Sequence, residues 1–183
     1  MNEQIVYLAG GCFWGTEHFF KMVKGVKRTR VGFANSSVPN PSYKLVCTGT
    51  TGAAETVEVV YDPRQITLPF LIRLYFETID PTSLNRQGED SGTQYRTGIY
   101  TTAPGQLAVA RKLVEELENK IGRHVVVEVM PLVNFYQAED YHQNYLDANP
   151  QGYCHLGPGL FRLARNASDP EAPFNAVAGE SAF

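Results

Sequence analysis

A cysteine follows two glycines and precedes two aromatics in Gly10-Gly11-Cys12-Phe13-Trp14, where a short apolar run gives way to a helical pattern. That setting suits nucleophilic sulfur chemistry. The free N–H groups and dipole of a helix N-terminus favour a thiolate over a thiol, whose ordinary pKa is about 8.5. The glycines leave the approach to sulfur unobstructed, and Phe13 and Trp14 can wall an apolar pocket over it. The same residues also fit a bland role, with Cys12 as a small apolar filler at a strand–helix joint and the aromatics as core. The other two cysteines, Cys47 and Cys154, lie far from Cys12 and from each other. An odd, scattered set predicts no structural disulfide framework, and no pair has the two-to-four-residue spacing of a metal site.

The elements around Cys12 are legible in the pattern. IVYLA (5–9) reads as a central strand buried on both faces, and Phe13 to about Val23 as a helix stopped by Gly25. VKRTRVGFA reads as a strand, NSSVPNPSY as a turn-rich loop, and Lys44–Cys47 as a short helix in which Cys47 is expected to be inert. ETVEVVYDP alternates with period two and puts Val57, Val59 and Tyr61 on one face. TLPFLIRLYFETID is helical, and PTSLNRQGEDSGTQ is a polar loop long enough to predict a functional role. RTGIYTT and HVVVEVMP read as strands flanking a helix over 103–122, and AEDYHQNYLDANP (138–150) as a last helix closed by Asn149 and Pro150. Alternating strands and helices predict an α/β or α+β fold, with helices layered on a mixed sheet.

With 183 residues, 43% hydrophobic and 19% charged, the chain has the composition of one soluble domain. A net charge of −3 with interspersed signs offers no basic face for nucleic acid or anionic lipid, and Lys27–Arg30 fits a solvated strand edge. The N-terminal MNEQIVYLAGG lacks a basic leader and a membrane-length apolar run, which predicts a cytoplasmic protein. The Ala/Pro/Ser-rich stretch 164–183 is expected to be a tail that wraps the domain or stays loose, after a catalytic domain of residues 1–163.

Four longer motifs occur in order: GCFWGTE (11–17), Gly52 to Glu55, DPTSLNRQGEDSGTQYR (80–96) and AEDYHQNYLDANPQGYC (138–154). Together they resemble the A-type peptide-methionine sulfoxide reductases, over nearly everything but the tail. The resemblance implies a two-layer α/β sandwich with a mixed sheet and a ferredoxin-like split β-α-β core. It implies reduction of methionine sulfoxide, the S epimer, free or in proteins, by a cycle of thiol chemistry. In that cycle Cys12 attacks the sulfoxide sulfur. Glu55 protonates the oxygen, a role that needs a carboxyl raised by burial. Tyr43 and Tyr95 hold the oxygen, Asp90 organises the polar network through water, and Phe13 and Trp14 receive the substrate's methyl group. The sulfenic acid left on Cys12 condenses with a second thiol, for which Cys154, set among glycines after a helix end, is the candidate. A thioredoxin-like protein then reduces the disulfide. No metal, cofactor, nucleic acid or membrane is expected, and a monomer is.

The chain departs from the family pattern at Ala54, where histidine is usual, and at Asn35-Ser36, which replace a glycine pair. No cysteine follows Cys154, so one resolving thiol is expected, with no appended B-type domain. Two other classes remain open on the residues: a cysteine hydrolase or acyltransferase using His18, His124, His142 or His155, and a non-enzymatic switch in which Cys12 and Cys154 form a disulfide.

Overall fold

The run IVYLA lies within β1 (Gln4–Gly10), which has a partner strand on each side, so from Val6 onward its side chains are buried above and below the sheet, while Ile5 at its start is exposed. A computed structural model describes residues 2–175. After β1 come α1 (Phe13–Lys21), β2 (Val26–Ala34), α2 (Tyr43–Val46), β3 (Ala54–Tyr61) and α3 (Leu68–Glu77). A small hairpin of β4 (Arg86–Gln87) and β5 (Asp90–Ser91) and a 3₁₀ turn at Thr93–Tyr95 lead to β6 (Thr97–Thr101). The chain continues through α4 (Pro104–Ile121), β7 (Glu128–Pro131), β8 (Phe135–Gln137), α5 (Tyr145–Ala148) and α6 (Pro158–Asn166).

Six strands form one mixed sheet in the order β7-β6-β1-β3-β2-β8. β3 runs antiparallel between β1 and β2, which splits the β1-α1-β2 unit, while β6 and β7 are parallel neighbours bridged by α4. The inner order β6-β1-β3-β2 is the ferredoxin-like core expected from the resemblance. The main core lies between the sheet and the helices: Val6, Leu8, Val57, Val59 and Tyr61 meet Phe19 and Phe20 of α1 and Leu71, Ile72 and Tyr75 of α3. Tyr7, Ala9, Ala34, Ala54 and Tyr100 occupy the opposite face under Leu132 and Phe135. Tyr75 ties two strands together, donating to the Ala9 carbonyl of β1 and accepting the Gly98 N–H of β6.

This topology gathers one end of four strands. Gly10 pairs with Thr97, and Phe33 with Glu55, so the end of β1, the start of β6, the end of β2 and the start of β3 open on the same edge of the sheet. The connections leaving that edge carry Cys12, Tyr43, Asp90 and Tyr95.

Several elements differ from expectation, the β4–β5 hairpin within the expected polar loop among them. The helix expected over 138–150 is a 3₁₀ turn at Asp140–His142 and a single α turn at Tyr145–Ala148, parted by Asn144 in the left-handed region at φ 53°. Tertiary bonds outweigh the helical pattern. The Asn144 N–H donates to buried Glu17, and the Gln143 amide pairs with both the N–H and the carbonyl of Val31, completing the edge of β2 where β8 stops. The strand read from His124 begins its ladder only at Glu128, because the Val126 N–H turns to the Pro81 carbonyl. β8 and α6 were not foreseen; α6 opens with Pro158 in its first turn and runs through Ala164. Asp169 accepts from the N–H and hydroxyl of Thr67, capping α3, and the Asn175 amide donates to the Gln65 carbonyl. Positions 176–183 of the Ala/Pro/Ser-rich stretch lie outside the described residues.

Candidate active site

Cys12 is the N-cap of α1, immediately after Gly11, whose φ of 86° is costly for any residue with a side chain. Its side chain is 7% exposed. Burial pushes the thiol well above its ordinary range and the charge of Glu55 adds to this, against a hydrogen bond from the Trp14 backbone. The expectation of a helix-activated thiolate is therefore corrected: the resting sulfur is a thiol, because desolvation outweighs the helix terminus.

Glu55, at the start of β3, is 1% exposed. One carboxyl oxygen accepts from the N–H of Phe13, next to Cys12, at 3.3 Å, and the other from the Gln94 amide at 3.0 Å. Burial raises its pKa to about 8, the two donors hold it lower than burial alone would, and Asp90 pushes it further up. At neutral pH this carboxyl keeps its proton and can donate it.

Tyr43 and Tyr95 are half-buried, and both hydroxyls are pushed up first by burial and then by the charge of Glu55. The charge of one carboxyl thus bears on both phenols. Asp90 sits on β5, where its charge acts on Cys12, Glu55 and Tyr95. It accepts from the Tyr153 hydroxyl at 2.9 Å, which ties it to the segment carrying Cys154. Phe13 is buried against Phe33 and stacks on Tyr43 at 6.3 Å between centroids. Trp14 is half-buried, lies flat on Tyr145 at 3.7 Å, and donates its indole N–H to His142 Nδ1 at 3.0 Å.

Cys154 is half-buried over α1. A Cβ on Gly15 would meet Cys154 Sγ at 3.0 Å, so the absence of a side chain there lets the second thiol rest one helical turn from Cys12. All three cysteines are free thiols. Cys47, expected to be inert in an apolar turn, is exposed, and its sulfur accepts from Gln94 at 3.5 Å, the amide that also holds Glu55.

The structure thus brings Cys12, Glu55, Tyr43, Tyr95, Asp90, Cys154, Phe13 and Trp14 to one edge of the sheet. Gln94, Tyr153 and the buried His142 join them. Sequence reasoning passed over Gln94 although it lies in the GTQYR motif, because a glutamine in a polar loop carries no chemical signal of its own. Each histidine has a polar partner other than Cys12: His18 has Asp147, His124 has Glu118, His142 has Trp14, and His155 has the Gly10 carbonyl through Nε2. Among the described residues there is no cluster of three or more His, Cys, Asp or Glu able to hold a metal, and no helix is long and apolar enough to cross a membrane.

Two departures from the family pattern have visible consequences. Asn35 adopts φ 54°, a conformation that asparagine tolerates better than most residues with a side chain. Ala54 is fully buried beside Ala9 and Ala34, filling the second face of the sheet.

Comparison with known proteins bears on the sequence and the fold. The sequence model for "Peptide methionine sulfoxide reductase" matches residues 4–170. The peptide methionine sulfoxide reductase MsrA of Lachnoclostridium phytofermentans is 51% identical over 167 residues, covering 91% of this chain and all of the relative. Among solved structures, methionine sulfoxide reductase A of Corynebacterium diphtheriae superposes with TM-score 0.81 at 44% identity, covering 84% of this chain and 78% of that one. Mxr1 of Saccharomyces cerevisiae in its reduced form gives TM-score 0.80 at 42% identity, with coverages of 84% and 89%. Mxr1 in complex with Trx2 gives 0.57 at 27% identity, with coverages of 79% and 85%. With its motifs, its fold and its matched length in agreement, the chain belongs to the peptide methionine sulfoxide reductase family.

Proposed function

We propose that the protein reduces the S epimer of methionine sulfoxide, free or in proteins, using Cys12 as nucleophile and Glu55 as proton donor. The observation that carries this reading is the buried carboxyl of Glu55, raised to about 8 and bonded to the N–H of the residue after Cys12. A neutral acid beside a thiol suits a substrate whose oxygen must leave sulfur as its charge develops.

Substrate enters with its methyl group against Phe13 and Trp14 and its oxygen toward Glu55, Tyr43 and Tyr95. Glu55 gives its proton to the oxygen as Cys12 bonds to the sulfoxide sulfur, and the thiol's proton restores the acid. The hydroxyl then passes from the substrate sulfur to Cys12 as the bond between the two sulfurs breaks; methionine departs and Cys12 is left as a sulfenic acid, the substrate sulfur having gained two electrons and Cys12 having lost them. Cys154 then displaces the oxygen as water and forms the Cys12–Cys154 disulfide. A thioredoxin-like protein reduces it, consistent with the relative solved in complex with Trx2. Asp90 positions the Cys154 segment through Tyr153 and adds to the field that keeps Glu55 protonated.

Mass spectrometry of the protein after methionine sulfoxide, before any reductant, is expected to find Cys12 joined to Cys154. Cys154→Ser is expected to release one equivalent of methionine and then stop in the presence of a thioredoxin system. Sustained turnover by that variant, or a wild-type protein that yields methionine with Cys12 and Cys154 unjoined, excludes Cys154 as the second thiol.

A further inference from the structure

His155 follows the second thiol directly, and the cycle above leaves it without a role. Its Nε2 lies 3.0 Å from the Gly10 carbonyl oxygen. A carbonyl only accepts, so Nε2 carries the ring proton and Nδ1 keeps its lone pair. Nδ1 is shut away from solvent and meets no hydrogen-bond partner among the described residues. A buried acceptor left unmet is a free-energy cost that most folds avoid.

The position of that lone pair explains it. A Cβ on Gly15 would lie 3.2 Å from His155 Nδ1 and 3.0 Å from Cys154 Sγ, so base and thiol both border the space that Gly15 leaves open above α1. Cys12 lies three residues earlier, on the same side of the helix. Burial pulls the imidazole below its ordinary range, opposed by the Gly10 carbonyl and by Asp90, the charged neighbour that bears on it. The ring is a neutral base at neutral pH. Burial raises the Cys154 thiol, opposed by the hydrogen bond it donates to the Leu156 carbonyl at 3.5 Å, so the thiol must turn from that carbonyl to a base before its sulfur can attack.

We propose that His155 Nδ1 accepts the Cys154 proton in the resolving step, an inference that rests on the pairing of Cys12 and Cys154 above. As Cys154 Sγ bonds to the Cys12 sulfur, the Cys12 S–O bond breaks. The proton held on Nδ1 passes to the departing oxygen, leaving a disulfide, water and a neutral imidazole. Sulfenic acid plus thiol becomes disulfide plus water, and no further oxidant is needed. The bond from Nε2 to Gly10 fixes the tautomer that makes this transfer available.

The test is a single turnover without reductant, quenched in time and read by mass for released methionine and for the Cys12–Cys154 disulfide. In His155→Gln the side-chain amide reaches the Gly10 carbonyl as Nε2 does, but offers no base. This variant is expected to release its one equivalent of methionine at the wild-type rate while the disulfide forms at least about 100-fold more slowly. Sulfenic acid, trapped by dimedone, accumulates meanwhile. In His155→Gly, added imidazole is expected to speed disulfide formation. Disulfide formation at the wild-type rate in His155→Gln overturns the proposal. So does equal slowing of methionine release and disulfide formation, which marks His155 as packing alone. A wild-type protein that forms no Cys12–Cys154 disulfide removes both the pairing and this step, whereas a wild-type disulfide with an unaffected variant removes only the role of His155.

Discussion

At Glu55 the fold sets a carboxyl with 1% of its surface exposed between the Phe13 N–H and the Gln94 amide. Two outcomes follow from its pKa of about 8 against an ordinary 4.5. Glu55→Gln keeps the size and both hydrogen-bonding neighbours, with the Gln94 amide free to turn its oxygen toward the new donor, yet it has no proton to give. Steady-state turnover is expected to fall about 100-fold or more. Stability changes in the opposite sense. Between pH 4.5 and about 8 the folded protein holds a proton on Glu55 that the unfolded chain has released, so wild-type stability declines as pH rises through that window. The amide does not titrate. Thermal melts from pH 5 to 8 are expected to show the variant gaining on wild type, by up to about 1.4 kcal/mol per pH unit. A constant gap across that range contradicts a carboxyl that stays protonated in the fold.

Among the elements, α1 carries the site and its glycine carries the approach of the second thiol. Gly15 lies in the first turn of α1, where alanine would ordinarily gain up to about 0.5–1 kcal/mol. Here the added methyl would press within 3.0 Å of Cys154 Sγ and 3.2 Å of His155 Nδ1. Gly15→Ala is therefore expected to push the 153–156 segment off the helix. Cys154 should react faster with a thiol reagent than in wild type, and the disulfide with Cys12 should form more slowly. Equal labelling rates would show that the segment rests elsewhere.

Across the whole molecule, the strap beyond α6 reaches back to the start of α3. The Asp169 carboxylate, 2% exposed, caps that helix through two 2.7 Å bonds from Thr67, one residue before Leu68 enters the core. Asp169→Ala is expected to cost about 1–3 kcal/mol, seen as a lower denaturation midpoint at unchanged m value. The site edge lies at the other end of β1, so the methionine burst should persist in this variant.

Apart from the small β4–β5 hairpin, strand and helix order through α4 was legible because the main elements have a strong local period: IVYLA, ETVEVVYDP and the helix over 103–122 bury faces that their own sequences mark. The motifs were legible too, and they pointed to Cys12, Glu55, Tyr43, Tyr95, Asp90 and Cys154 before any contact was known. What lay beyond local pattern depended on partners distant in the chain. A helical reading of 138–150 gave way to Asn144 bonding Glu17 and Gln143 pairing with Val31, both more than 100 residues away. Protonation was likewise out of reach, since the ionisation of Cys12 and Glu55 follows from the water each loses when β1, β3 and α1 close together. Residue types set which chemistry is available, but desolvation and proximity set which atoms hold protons, and those arise only when the chain is folded.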